Sequence, residues 1–464
     1  MDSKLRRTTS RSRIELLIST LRDEIITGKR AEGDFLPSEL DLCEQYELSK
    51  NTVRKGLDVL ANEGYIEKIP RIGTKVAKPY RQETVTIHFG YYASLDEEIR
   101  ITEMLGAFHE AYPNIRVKPV KKYYYNRNRE IETKRMLEDG IDVMTVNVTD
   151  FEVMGDADQV SEVLEPQEWK EGIYPFLTKP FVKHDRLYAQ PFVFTPVILC
   201  YNKDHFRELS LPEPDSSWTW DDLRRTGAKL SKATDRFGVY FHLFSENRWP
   251  LFLLQNGVVF QRDEHGKYKL DDLKLKEALE ICTNVVQDRE AFLSYSSDDD
   301  RDVQLLFLKE KVSIILATYN SLNAFRDAPF EYDISPVPNI AEPKTLLGII
   351  SLGISRESKQ KLAARLFVDY MLSHQTQQFI RKHTLSIPSL KSAAEWTGED
   401  FAGNRPHRFD LFREIIPSYR FHSDMGATYN DLLDMRRELK FYWSQLDDLE
   451  TVLRRIEDKL QAGS

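Results

Sequence analysis

Lys50, Asn51, Arg54 and Lys55 lie within the stretch "LSKNTVRKGLDVL", and their spacing fixes what they can do. On a helix capped by Ser49, Val53, Leu57 and Leu60 fall at i, i+4 and i+7 and turn inward, which leaves the four polar residues on the other side. Asn and Arg can pair bidentately with base edges in a DNA major groove, and Lys50 with the helix N-terminus can hold a phosphate. The chemistry on offer is sequence reading of double-stranded DNA.

Such a helix needs a scaffold, and the flanking sequence supplies one. Ile14, Leu17, Ile18, Leu21 and Ile25 make one apolar stripe on a first helix that Gly28 closes. In "LPSELDLCEQY", Ser38 is an N-cap with Asp41 as a weak capping box, and Leu40, Cys43 and Tyr46 are expected to point inward on a second helix. After Gly64, "YIEKI" and "TKVAK" flank "PRIG", a hairpin whose Gly73 can take positive φ at the tip, with Lys68, Arg71 and Lys75 along it. Three helices and a two-stranded wing result.

The order helix, "LPSE", "LSKNTVR", "EGYI", "GTKV" closely resembles the DNA-binding domain of the GntR superfamily of bacterial transcription regulators over residues 12–79. The resemblance implies DNA contacts from Ser38 and Glu39, from Ser49, Lys50, Asn51, Thr52 and Arg54, and from Gly73 and Thr74 on the wing. Leu40 and Lys50 stand where the family often has Arg, so the operator is expected to differ from the family's commonest one.

The remainder is much larger and of opposite charge. Residues 1–81 hold 16 Lys+Arg against 13 Asp+Glu, which leaves 49 against 61 for the rest of the 464-residue chain. A hydrophobic fraction of 41% with 30% charged residues suits two or three globular domains. Three scattered cysteines form no disulfide framework, and the ten histidines form no HxH or HExxH pair, so no metal and no cofactor are expected. No run approaches a membrane span, and the basic N-terminus lacks a secretory pattern, so the expectation is a cytoplasmic protein.

From Val85 the pattern alternates strand and helix: "TVTIHFG", a helix carrying Ile101, Leu105, Phe108 and Tyr112, the strand "IRVKPV", a polar helix around 128–138 and the strand "IDVMTVNV". A parallel sheet is expected. A pyridoxal-phosphate aminotransferase-like body would be about the right length, but no Schiff-base lysine constellation is present. "FHEAYPNIRVKPV", "IDVMTVNVTDF", "DRLYAQPFVFTPVILCYNKDHF", "WTWDDLRRTGAKL", "FLKEKVSIIL", "YDISPVPN" and "IPSLKSAAE" occur in the order seen in extracellular solute-binding proteins of the family 1, sugar-binding type, which residues 85–464 resemble. Glu310 departs from the family's usual Gly and puts the local turn in doubt.

The fold expected is therefore multi-domain: a basic arm over 1–11, a winged helix-turn-helix over 12–79, a linker over 80–84 and a two-lobed α/β periplasmic-binding-protein-like (type II) body over 85–464. Ligands bind beyond the carboxyl ends of strands in such sheets, which nominates Tyr91, Tyr92, Asn147, Asp150, Phe194, Tyr319, Asn320 and Gly348, with Trp249 as a further ring. Aromatic platforms with Asp and Asn acceptors suit a sugar or oligosaccharide. Trp218 and Trp220 read as packing, and "SYSSDDDRD" as a solvated loop without the spacing of a calcium site.

The function expected is a DNA-binding transcription regulator, a repressor, controlled by a small solute; an enzyme fused to a DNA-binding head, or a transport component, are the alternatives. A homodimer on a palindromic operator is expected, because paired heads read such sites. An apolar 3-4 spacing from Leu439 through Tyr442, Leu446, Leu449, Leu453, Ile456 and Leu460 predicts an amphipathic helix at about 431–461. That helix either packs on its own lobe or forms a dimeric coiled coil.

Overall fold

The computed structural model describes residues 10–462 except 27–28, 63, 71, 78–83, 123–138, 234, 265–267, 270–271, 294–296 and 399–402. The basic arm before residue 10, Gly28, Arg71, the linker and the polar helix expected around 128–138 thus lie outside the described residues. Two compact units divide the chain, residues Met1–Ile87 with Glu103–Lys118 and residues His88–Thr102 with Pro119–Ser464.

In the head, α1 (Ser10–Ile26), α2 (Glu39–Tyr46) and α3 (Lys50–Asn62) are followed by β1 (Ile66–Ile69) and β2 (Gly73–Val76), an antiparallel pair. Leu17, Leu21 and Ile25 of α1 meet Val53, Leu57 and Leu60 of α3 in one buried cluster with Ile66 and Val76 of the wing. Each such side chain contributes roughly 1.5–3 kcal/mol when fully buried, so a few of them suffice to hold a small head. Ser38 and Asp41 close both hydrogen bonds of a capping box on α2. Cys43 and Tyr46 of α2 pack against the core as expected, but Leu40 does not: it is 65% exposed, and Leu42 is the fully buried residue of the helix. The capping box starts the helix so that Leu40 sits in its first turn, on the open side. Gly73 takes φ +145° at the wing, a conformation that favours glycine, with the Phe35 ring 3.4 Å from where a Cβ would stand.

The body is built on a ten-stranded sheet. In chain order it uses β3 (Val85–Tyr92), α4 (Leu95–Glu98), α5 (Ile101–Ala111), β4 (Ile115–Lys122), β5 (Val143–Asn147) and α6 (Val148–Val153). The long β6 (Ala189–Asn202) follows, then α7 (Trp220–Ala233), β7 (Phe237–Tyr240), α8 (Trp249–Gln255), α9 (Asp300–Leu308), β8 (Val312–Thr318), β9 (Tyr332–Ser335) and β10 (Thr345–Ile354). The strand order is β4-β3-β5-β10-β6-β8-β7, with β9 also on β6. The expected parallel pairing holds for β3 with β5 and for β8 with β7, whereas β10 runs antiparallel to β5 and β6, and β6 antiparallel to β8 as well. These two long strands pass through the whole sheet, so one half, around β3 to β5, is tied to the other, around β7 to β9, by continuous backbone.

Local chemistry sustains these elements. Trp218 and Trp220 are packed as expected, Trp220 donating from Nε1 to Gln255 Oε1 at 2.8 Å. Asp299 caps α9, which puts the acidic loop to structural use. Glu310, in the family's glycine position, keeps the turn by adopting φ +54°.

The C-terminal pattern resolves into two helices, α10 (Tyr429–Trp443) and α11 (Leu449–Ala462). Gln445 at φ +58° breaks the run, and Leu446 is 71% exposed. Leu439, Leu449, Val452, Ile456 and Leu460 join the body's own core, and Glu438 clamps the pair through Arg455 and Lys459. The break and the burial favour packing on the protein's own lobe over a continuous coiled coil. Leu446→Glu is therefore expected to change stability by no more than about 0.5 kcal/mol and to leave oligomeric state unchanged in sedimentation velocity; loss of a dimer on this change would restore the coiled coil.

Candidate functional site

On the head, Lys50, Asn51, Arg54 and Lys55 are all exposed on one side of α3. Ser49 accepts from Thr52 N–H at 3.3 Å and meets Thr52 Oγ1 at 2.8 Å, so both hydroxyls start the helix as well as face outward. The Ser38 hydroxyl is likewise engaged with Asp41 Oδ2 at 2.8 Å. Arg54 Nε donates to both Glu39 oxygens, at 3.0 and 2.9 Å, and Lys50 Nζ lies 3.8 Å from the same carboxylate. Lys68, at the base of the wing, reaches back to Asp58 and to the Arg54 carbonyl. Gly73 and Thr74 sit on β2, where Thr74 pairs with Lys68. The nine nominated positions thus fall on the start of α2, the start of α3 and the wing.

In the body, strand register assembles a second site. Asn147, Ile350, Gly348, Thr195 and Thr318 are part-exposed in strands that are otherwise almost wholly buried. Ile350 pairs with Asn147, Gly348 with Thr195, and Thr318 with Val197, two residues on from Thr195. Since alternate residues share a face, the five form one row across the middle of the sheet. A side chain at Gly348 would come within 3.1 Å of Thr195 Cγ2, so glycine keeps the floor of this row low.

Polar groups crowd one end of the row. Asn320 donates its N–H to Thr195 Oγ1 at 3.0 Å and its Nδ2 to Glu98 Oε2 at 2.9 Å. Ser386 Oγ donates to the Glu98 carbonyl at 2.7 Å and accepts from Asn323 Nδ2 at 3.0 Å. Glu98 ends α4 in one half of the body, and Asn320 follows β8 in the other, so this contact joins the halves. Asn320 Oδ1 is buried without a hydrogen-bond partner among the described residues. At the rim, Tyr429 donates its N–H to Glu152 Oε1 of α6 at 2.8 Å and its hydroxyl to Glu246 Oε1 at 2.9 Å. Arg248, fully buried beside them in sequence, is held by Asn247 and Asp300.

Burial pushes the Glu98 carboxyl up to about 7, against the hydrogen bonds from Ser94 and Asn320 and the charge of Arg301, with Glu97 adding to the rise. A folded-state value above the usual 4.5 means that the folded protein holds the extra proton between the two, so stability falls as pH rises through that window. The stability difference between Glu98→Gln, which stays neutral at every pH, and the wild type is expected to shift in favour of the variant as pH rises from about 5 to about 8, followed by thermal melting. A gap that stays constant with pH would contradict this.

The nominated effector residues divide into three groups. Asn147, Asn320 and Gly348 lie on or beside the row. Tyr92 and Asp150 lie beneath it in a closed lock: Asp150 Oδ2 accepts from the Tyr92 hydroxyl and from Lys122 Nζ at 2.7 Å, Tyr92 accepts from Asn147 N–H at 2.9 Å, and Asn147 Oδ1 accepts from Asp150 N–H at 2.7 Å. Tyr91, Phe194, Trp249 and Tyr319 are core residues, exposed by no more than 2%. Tyr91 stacks on Phe89, Phe194 meets Tyr174 and Phe412 edge-on, Trp249 meets Trp443, and the Tyr319 hydroxyl is spent on Phe409 O and Phe412 N. Their rings are not available as stacking platforms in this conformation. Glu98, Glu152, Glu246 and Tyr429 escaped the sequence reading; only their polar character marked them. A 480 Å³ pocket elsewhere, lined by Trp220, Arg224, Asn284 and Asp288, takes in none of these residues, and Arg224 is already paired with Asp221 and Asp288.

Comparison with known proteins gives a family to each of the two parts of the chain. The family of bacterial extracellular solute-binding proteins matches residues 95–378, and the gntR family of bacterial regulatory proteins matches residues 15–76. The Galactooligosaccharide-binding protein of Bacillus subtilis (strain 168) is 22% identical over 310 residues, which are 63% of this chain and 70% of that protein. The Arabinose metabolism transcriptional repressor of Geobacillus stearothermophilus is 38% identical over 61 residues, 13% of this chain and 17% of that protein. The structure of T. maritima MalE3 with bound maltose superposes with a TM-score of 0.71 at 16% identity, covering 82% of this chain and all of that one, and so speaks for the fold alone. No helix among the described residues is long and apolar enough to cross a membrane. The chain belongs to the bacterial extracellular solute-binding protein family, and it carries ahead of that fold a DNA-binding domain of the gntR regulatory family.

Proposed function

We propose that the protein is a transcription regulator, a repressor acting in the cytoplasm as a homodimer on a palindromic operator, whose DNA affinity is set by a sugar or oligosaccharide bound in the body. The observation that carries this reading is the union of an exposed base-reading helix with a sheet-centred row of Asn, Thr and Gly bordered by Glu98 and Asn320. Hydroxyl-rich ligands are recognised by carboxylate and amide groups that accept and donate in pairs, and Glu98, close to half-protonated near neutrality, can do either. The galactooligosaccharide binding of one relative and the repressor activity of the other support the ligand class and the sign of control. No catalytic constellation enters the reading, and neither an enzyme nor a transport component accounts for the DNA-reading face.

Solute binding would shift the two halves of the body, which are joined by β6 and β10 and by the Glu98–Asn320 contact, and the shift would reach the heads through residues 77–84. Thermal melting of the whole protein against a panel of mono- and oligosaccharides tests the ligand class. A ligand at a hundred times its Kd adds about 2.7 kcal/mol to stability. At least one saccharide should raise the melting temperature in wild type and fail to do so in Asn320→Ala; a panel without any shift would overturn the sugar assignment.

A further inference from the structure

We propose that Glu39 sets the sequence selectivity of the head by holding Arg54, acting as a positioning residue and not as a DNA contact. Arg54 is exposed on α3, at the place where a side chain meets base edges, yet its Nε is already committed to both oxygens of Glu39. The pairing fixes the guanidinium on one side and leaves Nη1 and Nη2, which make no other hydrogen bond among the described residues, as an outward fork. A fork of two N–H donors matches the O6 and N7 acceptors of guanine. An unrestrained arginine can instead swing to the nearest phosphate, which carries no sequence information.

Glu39 is itself well placed to hold this geometry. It is the first residue of α2, a helix fixed by the Ser38–Asp41 capping box, and it spans to α3 across the bend between the two helices. Its carboxylate also faces Lys50 at 3.8 Å, so it restrains two of the three basic or amide groups nominated for DNA contact. A carboxylate at this surface repels DNA phosphates, so its presence costs general affinity, a cost that its hold on its neighbours offsets in selectivity.

Opposite signs follow for the two kinds of binding. Removing Glu39 deletes a negative charge, which should tighten binding to unrelated DNA and steepen the salt dependence by roughly one unit of slope. The same change frees Arg54, and the preference at the base pair it reads should fall by roughly 5- to 150-fold. A purely structural role would instead weaken every sequence alike.

The test uses the full chain and a randomised duplex pool. Sequences enriched by wild type, Glu39→Ala, Glu39→Gln, Arg54→Ala and the double variant are compared, and affinities for the enriched and a scrambled duplex are titrated against salt. The expected result is that Glu39→Ala and Arg54→Ala lose preference at the same base pair, that the double variant loses no more, and that Glu39→Ala binds the scrambled duplex more tightly. Glu39→Gln, which keeps an acceptor for Nε, should retain most of the preference. Loss at a different base pair would make Glu39 a direct reader and overturn the proposal. So would unchanged preference, a uniform loss on all sequences, or a wild type that enriches no site.

Discussion

Replacing Asp150 by alanine is expected to destabilise the body by about 3–5 kcal/mol, the usual result of stripping one partner from a buried ion pair. Lys122 and Asp150 keep 5% and 1% of their side-chain surface exposed, and Lys122 also lies 5.1 Å above the Tyr92 ring. Without Asp150, an ammonium and the Tyr92 hydroxyl both lose their acceptor inside the fold. Restoring an apolar pair, Lys122→Met with Asp150→Leu, should recover much of the loss, because the cost lies in the uncompensated charge more than in the missing attraction. Denaturant titrations of the three proteins measure this. A loss below about 1 kcal/mol for Asp150→Ala would mean that the lock is open in solution and that Asp150 is free to act as a ligand contact.

That expectation changes the role first assigned to Tyr92 and Asp150. Their residue types nominated them as an aromatic platform and an acceptor, and Tyr92 does end β3 while Asp150 lies in α6, just past the carboxyl end of β5, the region where ligands bind in such sheets. The sequence could not show that Lys122, 28 residues before Asp150, would close the pair from a third strand. Tyr91, Phe194, Trp249 and Tyr319 failed as platforms for a related reason. Tyr91 and Phe194 lie on strands, Tyr319 just after one and Trp249 at the start of a helix, and residue type does not say which of these positions turns its ring into the core.

The head was legible because its information is local: caps, i to i+4 spacing and a glycine turn place α1, α3 and the wing without long-range contacts. Even there one position of α2 was misjudged, with Leu42 buried in place of Leu40, while Cys43 and Tyr46 face the core as expected. Glu98 with Asn320, 222 residues apart, and Tyr429 with Glu152, 277 apart, show the opposite case. No periodicity reports such pairs, and only the crossing of β6 and β10 brings them together. The C-terminal spacing was real but spanned the break at Gln445, which a pattern of apolar positions does not register.

The second large effect concerns the switch. A saccharide that binds the body is expected to weaken operator binding by roughly 5- to 150-fold, the range that corresponds to a typical coupling of about 1–3 kcal/mol between sites. A ligand shifts the equilibrium only by its differential affinity for the two forms of the protein, so the contacts that matter are those made in one form and not the other. Glu98 with Asn320, and Glu152 with Tyr429, are the contacts to test for this, because each joins segments far apart in the chain. Asn320→Ala should therefore reduce the response to saccharide while leaving operator affinity in its absence within about twofold, a difference worth no more than about 0.4 kcal/mol.

Linkage gives the most direct test of control of the head by the body. If saccharide weakens operator binding by some factor, operator must weaken saccharide binding by the same factor. Calorimetric titration of a saccharide that raises the melting temperature, carried out with and without saturating operator DNA, measures this factor. The account predicts two different affinities whose ratio equals the ratio of operator affinities found with and without saccharide; equal saccharide affinities in the two titrations would contradict it.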